Sequence, residues 1–460
     1  MGFLDKQRII AEPGFNRWLV PPAALAIHLC IGQVYAFSVF NLPMTRLIGV
    51  TEQTPEDWRL TQLGWIFSIA IIFLGVSAAV LGRWVETGGP RRAMVAAACC
   101  FASGFVISAV GVELHQLWIV YLGYGVVGGI GLGLGYISPV STLIKWFPDR
   151  PGMATGMAIM GFGGGAMIGS PLAVSLMNAF RTEASVGVAP TMLVMGGLYF
   201  ALMMFGAWLV RVPANGWTPA GWTPPQRVDK MVTTANVRVY TALRTRAFWL
   251  LWAVLCLNVT AGIGVLGQAS AMSQEMFPGV ISATAAAGFV GLLSLFNMVG
   301  RFAWSSLSDV IGRKRTYAVY FTLGTALYAL VPFTGSSGIG SVVLFVAGYG
   351  VIMSMYGGGF ATIPAYLKDM FGTMHVGAIH GWLLTAWAVA GVAGPVLVNY
   401  IRQYQIDSGV APADAYTVTM YLMAGLLVVG FVCNMLVRPV AESRHYRPAP
   451  ASAEAAEQAA

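Results

Sequence analysis

Long apolar runs alternate with short polar segments along most of the chain. Twelve runs reach the length of about 20 residues that an α-helix needs to cross a hydrocarbon core about 30 Å thick. They are about twice as long as a barrel strand requires, so the pattern predicts an all-α integral membrane protein. The predicted spans are 18–40, 60–82, 93–112, 118–144, 153–178, 190–210, 247–272, 281–306, 316–335, 339–366, 376–400 and 416–437.

The spans form two related halves. An acid, a turn and several cations follow the second span at 82–92 and recur after the eighth span at 305–315. Such an internal repeat is typical of transporters that hold their substrate between two bundles near the bilayer midplane. We predict an N-terminal six-helix bundle over 1–210, a cytoplasmic linker over 211–246, a C-terminal six-helix bundle over 247–438 and a disordered cytoplasmic tail over 439–460. The linker repeats the sequence Gly-Trp-Thr-Pro, which predicts a stiff, non-helical segment.

Composition and charge support a membrane protein. The chain is 57% hydrophobic and 10% charged, which excludes an ordinary soluble domain. Of its 26 Lys and Arg residues, 21 lie on the side of the termini, four on the opposite side, and Arg301 within a span. The positive-inside rule therefore predicts a multi-pass protein of the cell inner membrane with both termini cytoplasmic. Because the cations sit at helix ends, the net charge of +8 does not indicate nucleic-acid binding.

Arg301 is the most informative residue in the sequence. It lies eight residues before Asp309, at the end of the eighth span, which places its backbone roughly 12 Å from that end, near the middle of the membrane. An arginine at this depth should face a protein interior or an aqueous cavity. Asn297 lies one turn earlier on the same face, and no carboxylate occurs within four residues. The pair predicts an anion site.

The sequence gives little support for a metal site, a cofactor site or an enzyme. The five cysteines lie in apolar runs at no metal-ligand spacing, so we expect no metal site. The glycine pattern at 123–128 lies inside an apolar run and lacks the strand that a dinucleotide site needs, so we expect no cofactor. The spans contain no paired carboxylates and no nucleophile with a base, so we do not expect an enzyme.

The segment 305–315 resembles the loop signature of the major facilitator superfamily, in which an acid and the following cations latch neighbouring helices. That resemblance implies a twelve-helix fold of two pseudo-symmetric bundles and a gating role for these charges. The corresponding residues are Glu86, Arg91, Arg92, Asp309, Arg313, Lys314 and Arg315. Ordinary topology-setting charge is the alternative interpretation of either copy.

Within that superfamily the chain resembles the oxalate/formate antiporter family and the bacterial monocarboxylate transporters. The resemblance rests on Gly32-Gln-Val-Tyr35 in the first span, the stretch from Gly133 to Arg150, the doubled Gly-Trp-Thr-Pro linker and 297–301. It implies that Arg301 binds the substrate carboxylate, with Asn297, Tyr136 and Tyr356 completing a cage. Gln33 and Tyr35 are further candidates. For each residue a purely structural role, in packing or in bonding between helices, remains open.

Two sequence differences from the relatives limit the inference about the substrate. Oxalate exchangers have a lysine in the eleventh helix, whereas 378–395 contains no Lys or Arg here. Mammalian monocarboxylate transporters have an aspartate where Asn297 stands. His380 and His28 are the candidates for proton coupling, because histidine titrates near neutrality; a neutral imidazole bonded within the bundle is the alternative.

The sequence thus predicts a secondary active transporter of small organic anions. We expect a monocarboxylate such as formate, lactate or pyruvate, carried by proton symport or anion exchange through alternating access. The alternatives are an oxalate/formate-type dicarboxylate antiporter and an anion channel, which would need a continuous polar pore. The expected partners are the organic anion, protons or a counter-anion, and membrane lipid, with the protein as a monomer.

Overall fold

The protein is described here by a computed structural model covering residues 2–223, 231–233, 235–334 and 339–446. These residues form twelve long helices joined by short connections. The helices are α1 (Arg17–Met44), α2 (Leu60–Gly88), α3 (Pro90–Glu113), α4 (Leu117–Trp146), α5 (Pro151–Phe180), α6 (Val188–Leu209), α7 (Arg246–Met276), α8 (Ala283–Ile311), α9 (Arg313–Leu330), α10 (Ile339–Phe371), α11 (Val376–Asp407) and α12 (Thr417–Leu436). The all-α fold with twelve spans is confirmed.

Several helices extend beyond the apolar runs that predicted them. Eleven are long and apolar enough to cross a membrane, and α8 is a helix of 29 residues. At their polar ends α2 continues to Gly88 and α11 to Asp407, six and seven residues past the predicted limits. Hydropathy marks the lipid-buried part of a helix, whereas the backbone hydrogen bonds continue into the headgroup region.

The first and last described residues lie on one face of the bundle, which we call the terminal face. The side chain of Arg17, at the start of α1, pairs there with Asp149, in the connection between α4 and α5. The backbone of Phe3 accepts a hydrogen bond from Arg91, at the start of α3.

Two helices depart from α-geometry. In α1, residues Gly32–Phe40 form a 3₁₀-helix, and in α4, residues Tyr121–Gly128 form a π-helix. Gly32 lies where α1 meets α5, and a Cβ there would stand 2.8 Å from the Phe162 Cα. Gly123 lies equally close to Ser108 of α3. The glycines let irregular helices touch their neighbours at backbone distance.

The two six-helix halves meet mainly along three pairs of helices. α2 packs against α11, and α5 packs against α8 and α10. Gly82 lies against Ala378 in the first pair, and Gly156 lies against Ser305 in the second. These contacts lie toward the terminal face, so the halves are closed together on that side.

The linker lies along the terminal face. Trp217, from the first Gly-Trp-Thr-Pro copy, packs edge to face on Trp146 with ring centroids 4.7 Å apart. Further along, Val237 N donates to the Phe371 carbonyl at the end of α10. The second copy ends at Pro224, which lies outside the described residues together with 225–230.

The start of the tail departs from the expectation of disorder. Glu442–Arg444 forms a short 3₁₀ turn, and Tyr446 N donates to the Asn236 carbonyl of the linker at 2.7 Å. The Arg238 guanidinium lies 4.6 Å from the centroid of the Tyr446 ring. Composition indicates how little apolar surface a segment can bury by itself. It does not indicate whether the segment has a partner elsewhere in the chain. Residues 447–460 lie outside the described part.

Candidate functional site

Arg301 and Asn297 form the centre of the candidate site, on one face of α8. Arg301 is fully buried, and its Nε donates to Asn297 Oδ1 at 2.8 Å. Within the described part of the chain, its two terminal nitrogens have no hydrogen-bond partner. Ten residues separate Arg301 from Ile311, the last residue of α8, which places it roughly 15 Å from the helix end. The asparagine therefore orients the guanidinium through Nε and does not engage its two terminal nitrogens.

Two glycines from neighbouring helices make room for this pair. A Cβ at Gly163 of α5 would lie 2.8 Å from Asn297 Oδ1 and 3.0 Å from Arg301 Nε. A Cβ at Gly357 of α10 would lie 2.9 Å from the same Oδ1. Because real side chains do not tolerate such distances, α5 and α10 can enclose the pair only where they carry hydrogen in place of a side chain.

Aromatic rings surround the guanidinium. Its Cζ lies 5.5 Å from the Phe162 ring centroid and 5.2 Å from that of Phe360. The Trp387 ring lies 5.2 Å from Phe162 and 4.5 Å from Phe360. Rings at these distances stabilise a cation through their quadrupoles and exclude water. The sequence analysis did not identify these three residues, although each is a large aromatic among glycines and alanines in its helix.

The structure brings the three predicted tyrosines to the same place. The Tyr35 hydroxyl of α1 bonds the Tyr356 hydroxyl of α10 at 3.0 Å, across the two halves. The Tyr136 ring of α4 packs 5.5 Å from Trp387, and its hydroxyl is buried without a partner among the described residues. The hydroxyls of Tyr35 and Tyr136 lie close to the guanidinium. Residues from five other helices, in both halves, therefore surround Arg301.

Gln33 lies apart from this cage. Its Oε1 accepts a hydrogen bond from the Tyr124 hydroxyl of α4 at 2.6 Å, and its Cγ faces Gly169 of α5. The amide oxygen is thus engaged within the N-terminal half, whereas Nε2 is buried without a hydrogen-bond partner among the described residues. This placement fits the alternative of a polar side chain that joins neighbouring helices.

The two histidines flank Tyr136. The His28 ring centroid lies 5.3 Å from that of Tyr136, and the His380 centroid lies 5.8 Å away. His28 Nδ1 bonds the Ala24 carbonyl at 3.1 Å, whereas both ring nitrogens of His380 are without a partner in the described residues. His380 is therefore available to interact with a bound molecule, and His28 is partly committed to its own helix.

Acids at the ends of α2 and α8 join the two halves at the terminal face. Glu86 Oε1 accepts from Gly377 N, at the start of α11, at 3.0 Å. Asp309 accepts from Gly152 N and Met153 N, at the start of α5, at 2.8 Å each. Carboxylates favour helix N-termini because the free N–H groups and the helix dipole are positive there. We call these contacts the α2 latch and the α8 latch.

Each latch acid also pairs with a cation. Lys145 Nζ lies 2.8 Å from Glu86 Oε2. Arg313 lies between two acids, 2.6 Å from Asp309 and 3.0 Å from Asp369. His375, just before α11, adds little positive charge to the α2 latch, because burial lowers its pKa, with Glu86 opposing and neighbouring cations reinforcing the shift.

Two of the other predicted gating cations hold helix ends. Arg91 is buried and donates to the carbonyls of Ala207, Trp208 and Val210 at the end of α6. Lys314 donates to the Met435 and Val437 carbonyls at the end of α12. Arg92 bonds the Leu4 carbonyl, and Arg315 is exposed. Among these cations, the structure places only Arg313 in a contact of either latch acid.

Comparison with known proteins identifies the fold family. The chain matches the Major Facilitator Superfamily over residues 23–395 and 281–458. It is 25% identical over 380 residues to the oxalate:formate antiporter of Oxalobacter formigenes, covering 82% of this chain and 83% of that protein. It is 23% identical over 502 residues to apicoplast pyruvate carrier 1 of Toxoplasma gondii, covering 91% and 88%.

A solved structure shows the same fold. The Escherichia coli fucose:proton symporter FucP superposes with a TM-score of 0.64 at 13% identity, covering 92% of this chain and 98% of that one. One family accounts for three observations: the two six-helix bundles, the paired acids at α2 and α8, and the sequence match. The chain belongs to the major facilitator superfamily of membrane transporters.

Proposed function

We propose that the protein transports a small monocarboxylate, such as formate, lactate or pyruvate, by binding its carboxylate to Arg301. The observation that carries this proposal is the buried guanidinium, whose two terminal nitrogens have no hydrogen-bond partner among the described residues. A buried arginine without a counter-ion is costly, and a carboxylate that accepts two parallel N–H bonds is its best-matched ligand. Asn297 fixes the guanidinium, and the surrounding rings fit the short apolar body of such an acid.

Charge balance favours a monoanion. The described residues place no second lysine or arginine against the rings that surround Arg301. One carboxylate leaves the site near neutral, whereas a dianion would bring an uncompensated charge into a low-dielectric enclosure at a cost of several kcal/mol. The matched relatives are named for oxalate, formate and pyruvate transport, which supports small carboxylates as the substrate class.

An oxalate-type antiporter is the second candidate, and His380 favours it. This histidine lies in α11 beside Tyr136, with both ring nitrogens free of described partners. When protonated it would supply a second cation near the site. The same residue is the stronger candidate for proton coupling, with His28 the weaker one, because His28 bonds its own helix.

Transport follows from the arrangement of the two halves. Both latches hold the halves together at the terminal face, and the site lies between the halves. We propose that this face is cytoplasmic in the inner membrane, as the charge asymmetry predicts. Release of the latches would then expose the site to the cytoplasm, and reclosure would return it to the other side.

The first test measures uptake of labelled formate, lactate and pyruvate into proteoliposomes. Arg301→Lys keeps the charge but loses the bidentate fork, so uptake should fall at least tenfold while the protein still folds. Asn297→Asp is nearly isosteric and supplies an internal carboxylate, so it should compete with substrate for Arg301. Wild-type uptake by folded Arg301→Ala would contradict the proposal.

The second test separates the two candidates. Oxalate should compete weakly with labelled formate at pH 8, where an unperturbed histidine is neutral. Competition that strengthens at pH 6 and disappears in His380→Gln would instead support the oxalate-type antiporter. Oxalate that competes as well as the monocarboxylates at pH 8 would rule out the single-cation argument.

A further inference from the structure

A basic cavity lies at the terminal face, between the start of α7 and the end of α12. It encloses about 360 Å³ and is lined by four arginines, two from the α7 side and two from the segment after α12. These residues, which define the arginine cavity, are Arg244, Arg246, Arg438 and Arg444. The cavity is separate from the Arg301 site, which lies deep between the two halves.

No carboxylate of the described residues neutralises these four charges. All four arginines are exposed, and within the described residues none forms an ion pair with a carboxylate. Glu442 shares a short turn with Arg444 but is exposed and forms no ion pair with it. The cavity also faces the first turn of α7, which Thr245 caps, so the helix dipole adds to its positive potential. The cavity therefore concentrates positive charge.

One side of the cavity is apolar and continues into the lipid-facing surface. Leu250, Leu436 and Val440 line it beside the arginines. Leu436 is 42% exposed, and Trp249, adjacent to Leu250, is 54% exposed. An exposed tryptophan beside cations is typical of the membrane–water interface. The cavity therefore lies where headgroups end and acyl chains begin.

We propose that the arginine cavity binds the phosphate-bearing headgroup of an anionic phospholipid, with the acyl chains lying along the outer surface of α7 and α12. Four arginines match a phosphodiester, and the apolar wall matches the glycerol and the first methylenes of the chains. A soluble phosphate would use the cations but leave this wall without a partner. The juxtaposition of cations and apolar surface therefore favours a lipid.

The test titrates purified protein with lipid and follows binding by native mass spectrometry and by thermal unfolding. We expect phosphatidylglycerol to bind and to raise the unfolding temperature, and phosphatidylcholine to do neither. The variant Arg244→Gln/Arg438→Gln/Arg444→Gln should weaken phosphatidylglycerol binding by a factor of 10 or more, since each arginine near an anionic headgroup contributes roughly fivefold.

The matched control removes three exposed arginines elsewhere, in the variant Arg8→Gln/Arg83→Gln/Arg150→Gln. It loses the same net charge and keeps the cavity, so its lipid affinity should stay within twofold of the wild type. Equal weakening in both variants would show non-specific attraction and overturn the proposal. Inorganic phosphate that protects as well as phosphatidylglycerol would overturn the assignment to a lipid. The single variant Arg438→Gln provides the comparison if the triple variant does not fold.

Discussion

The α2 latch and the α8 latch hold corresponding acids in different ways. Glu86 accepts one backbone N–H, from Gly377, and its cation, Lys145, has a side chain 35% exposed. Asp309 accepts two backbone N–H groups and pairs with Arg313, whose side chain is 7% exposed. Buried charged hydrogen bonds contribute more than exposed ones. The α8 latch should therefore carry most of the free energy that closes the terminal face.

The two acids differ in how they meet a cation. Lys145 lies one residue before the end of α4, and Asp369 lies two residues before the end of α10. In the first half a cation at this position meets the acid directly. In the second half an acid stands there, and Arg313 bridges it to Asp309. The same latch can therefore be built from two charges or from three.

The largest effect is expected from Asp369→Lys. Arg313 would lose one acid and gain a like charge in a buried position, and breaking a buried pair costs about 3 to 5 kcal/mol. The fraction of molecules open at the terminal face should rise a hundredfold or more. Distances between spin labels at Thr87 and Val310, both exposed on that face in opposite halves, would measure it in a variant without native cysteines.

The double variant Asp369→Lys/Arg313→Ser tests the comparison itself. It rebuilds the direct pair of the first half, now between Asp309 and the new lysine. Most of the closed population should return. If the double variant stays as open as Asp369→Lys alone, the two positions are not equivalent.

Asp309→Asn should have the next largest effect. The amide keeps the size of the side chain but loses the charge, and charged hydrogen bonds are worth about 1.5 to 3 kcal/mol. We expect a shift of 10- to 100-fold toward the open terminal face, measured with the same labels. Asp407→Asn, an exposed acid at the far end of α11, is the control and should leave the distances unchanged.

Glu86→Gln should shift the same equilibrium by roughly fivefold, or about 1 kcal/mol. The glutamine oxygen can still accept from Gly377 N, and Lys145 can turn to solvent because it is already partly exposed. An effect equal to that of Asp309→Asn would refute the ranking of the two latches.

The smallest effect is expected from Lys145→Gln. A pair with one exposed partner is worth about 0.2 to 1 kcal/mol and is screened by salt. The label distances should change little at low salt and not at all at 0.5 M salt. A larger, salt-independent change would mean that Lys145 is as important to closure as Arg313.

The sequence predicts the fold well for a physical reason. A helix in lipid must be apolar over its whole buried length, so its position is visible as a run of residues. The polar ends of α2 and α8 were underestimated because residues there are no longer selected for apolarity. The sequence predicts the two latch acids as a pair. Their partners are the starts of α11 and α5, which are distant in sequence and can be identified only from the structure.

The candidate site could be predicted only in part. Arg301 and Asn297 stand out because a charge and an amide are anomalous inside an apolar run. Phe162, Phe360 and Trp387 do not stand out, because aromatic residues are ordinary in membrane helices. Gln33 is as anomalous as Asn297 in sequence, yet it bonds Tyr124 within its own half. Polarity reveals that a side chain needs a partner, but not which one.

The glycines that enclose the arginine also restrict how this transporter can evolve. Gly163 and Gly357 approach the Asn297–Arg301 pair so closely that even alanine would displace it. New substrate preferences must therefore arise elsewhere in the wall, at positions such as Phe162, Phe360 or Trp387, where one side chain can be exchanged for another. Descendants of this chain that change cargo while keeping the arginine should vary in those rings and remain glycine at 163 and 357.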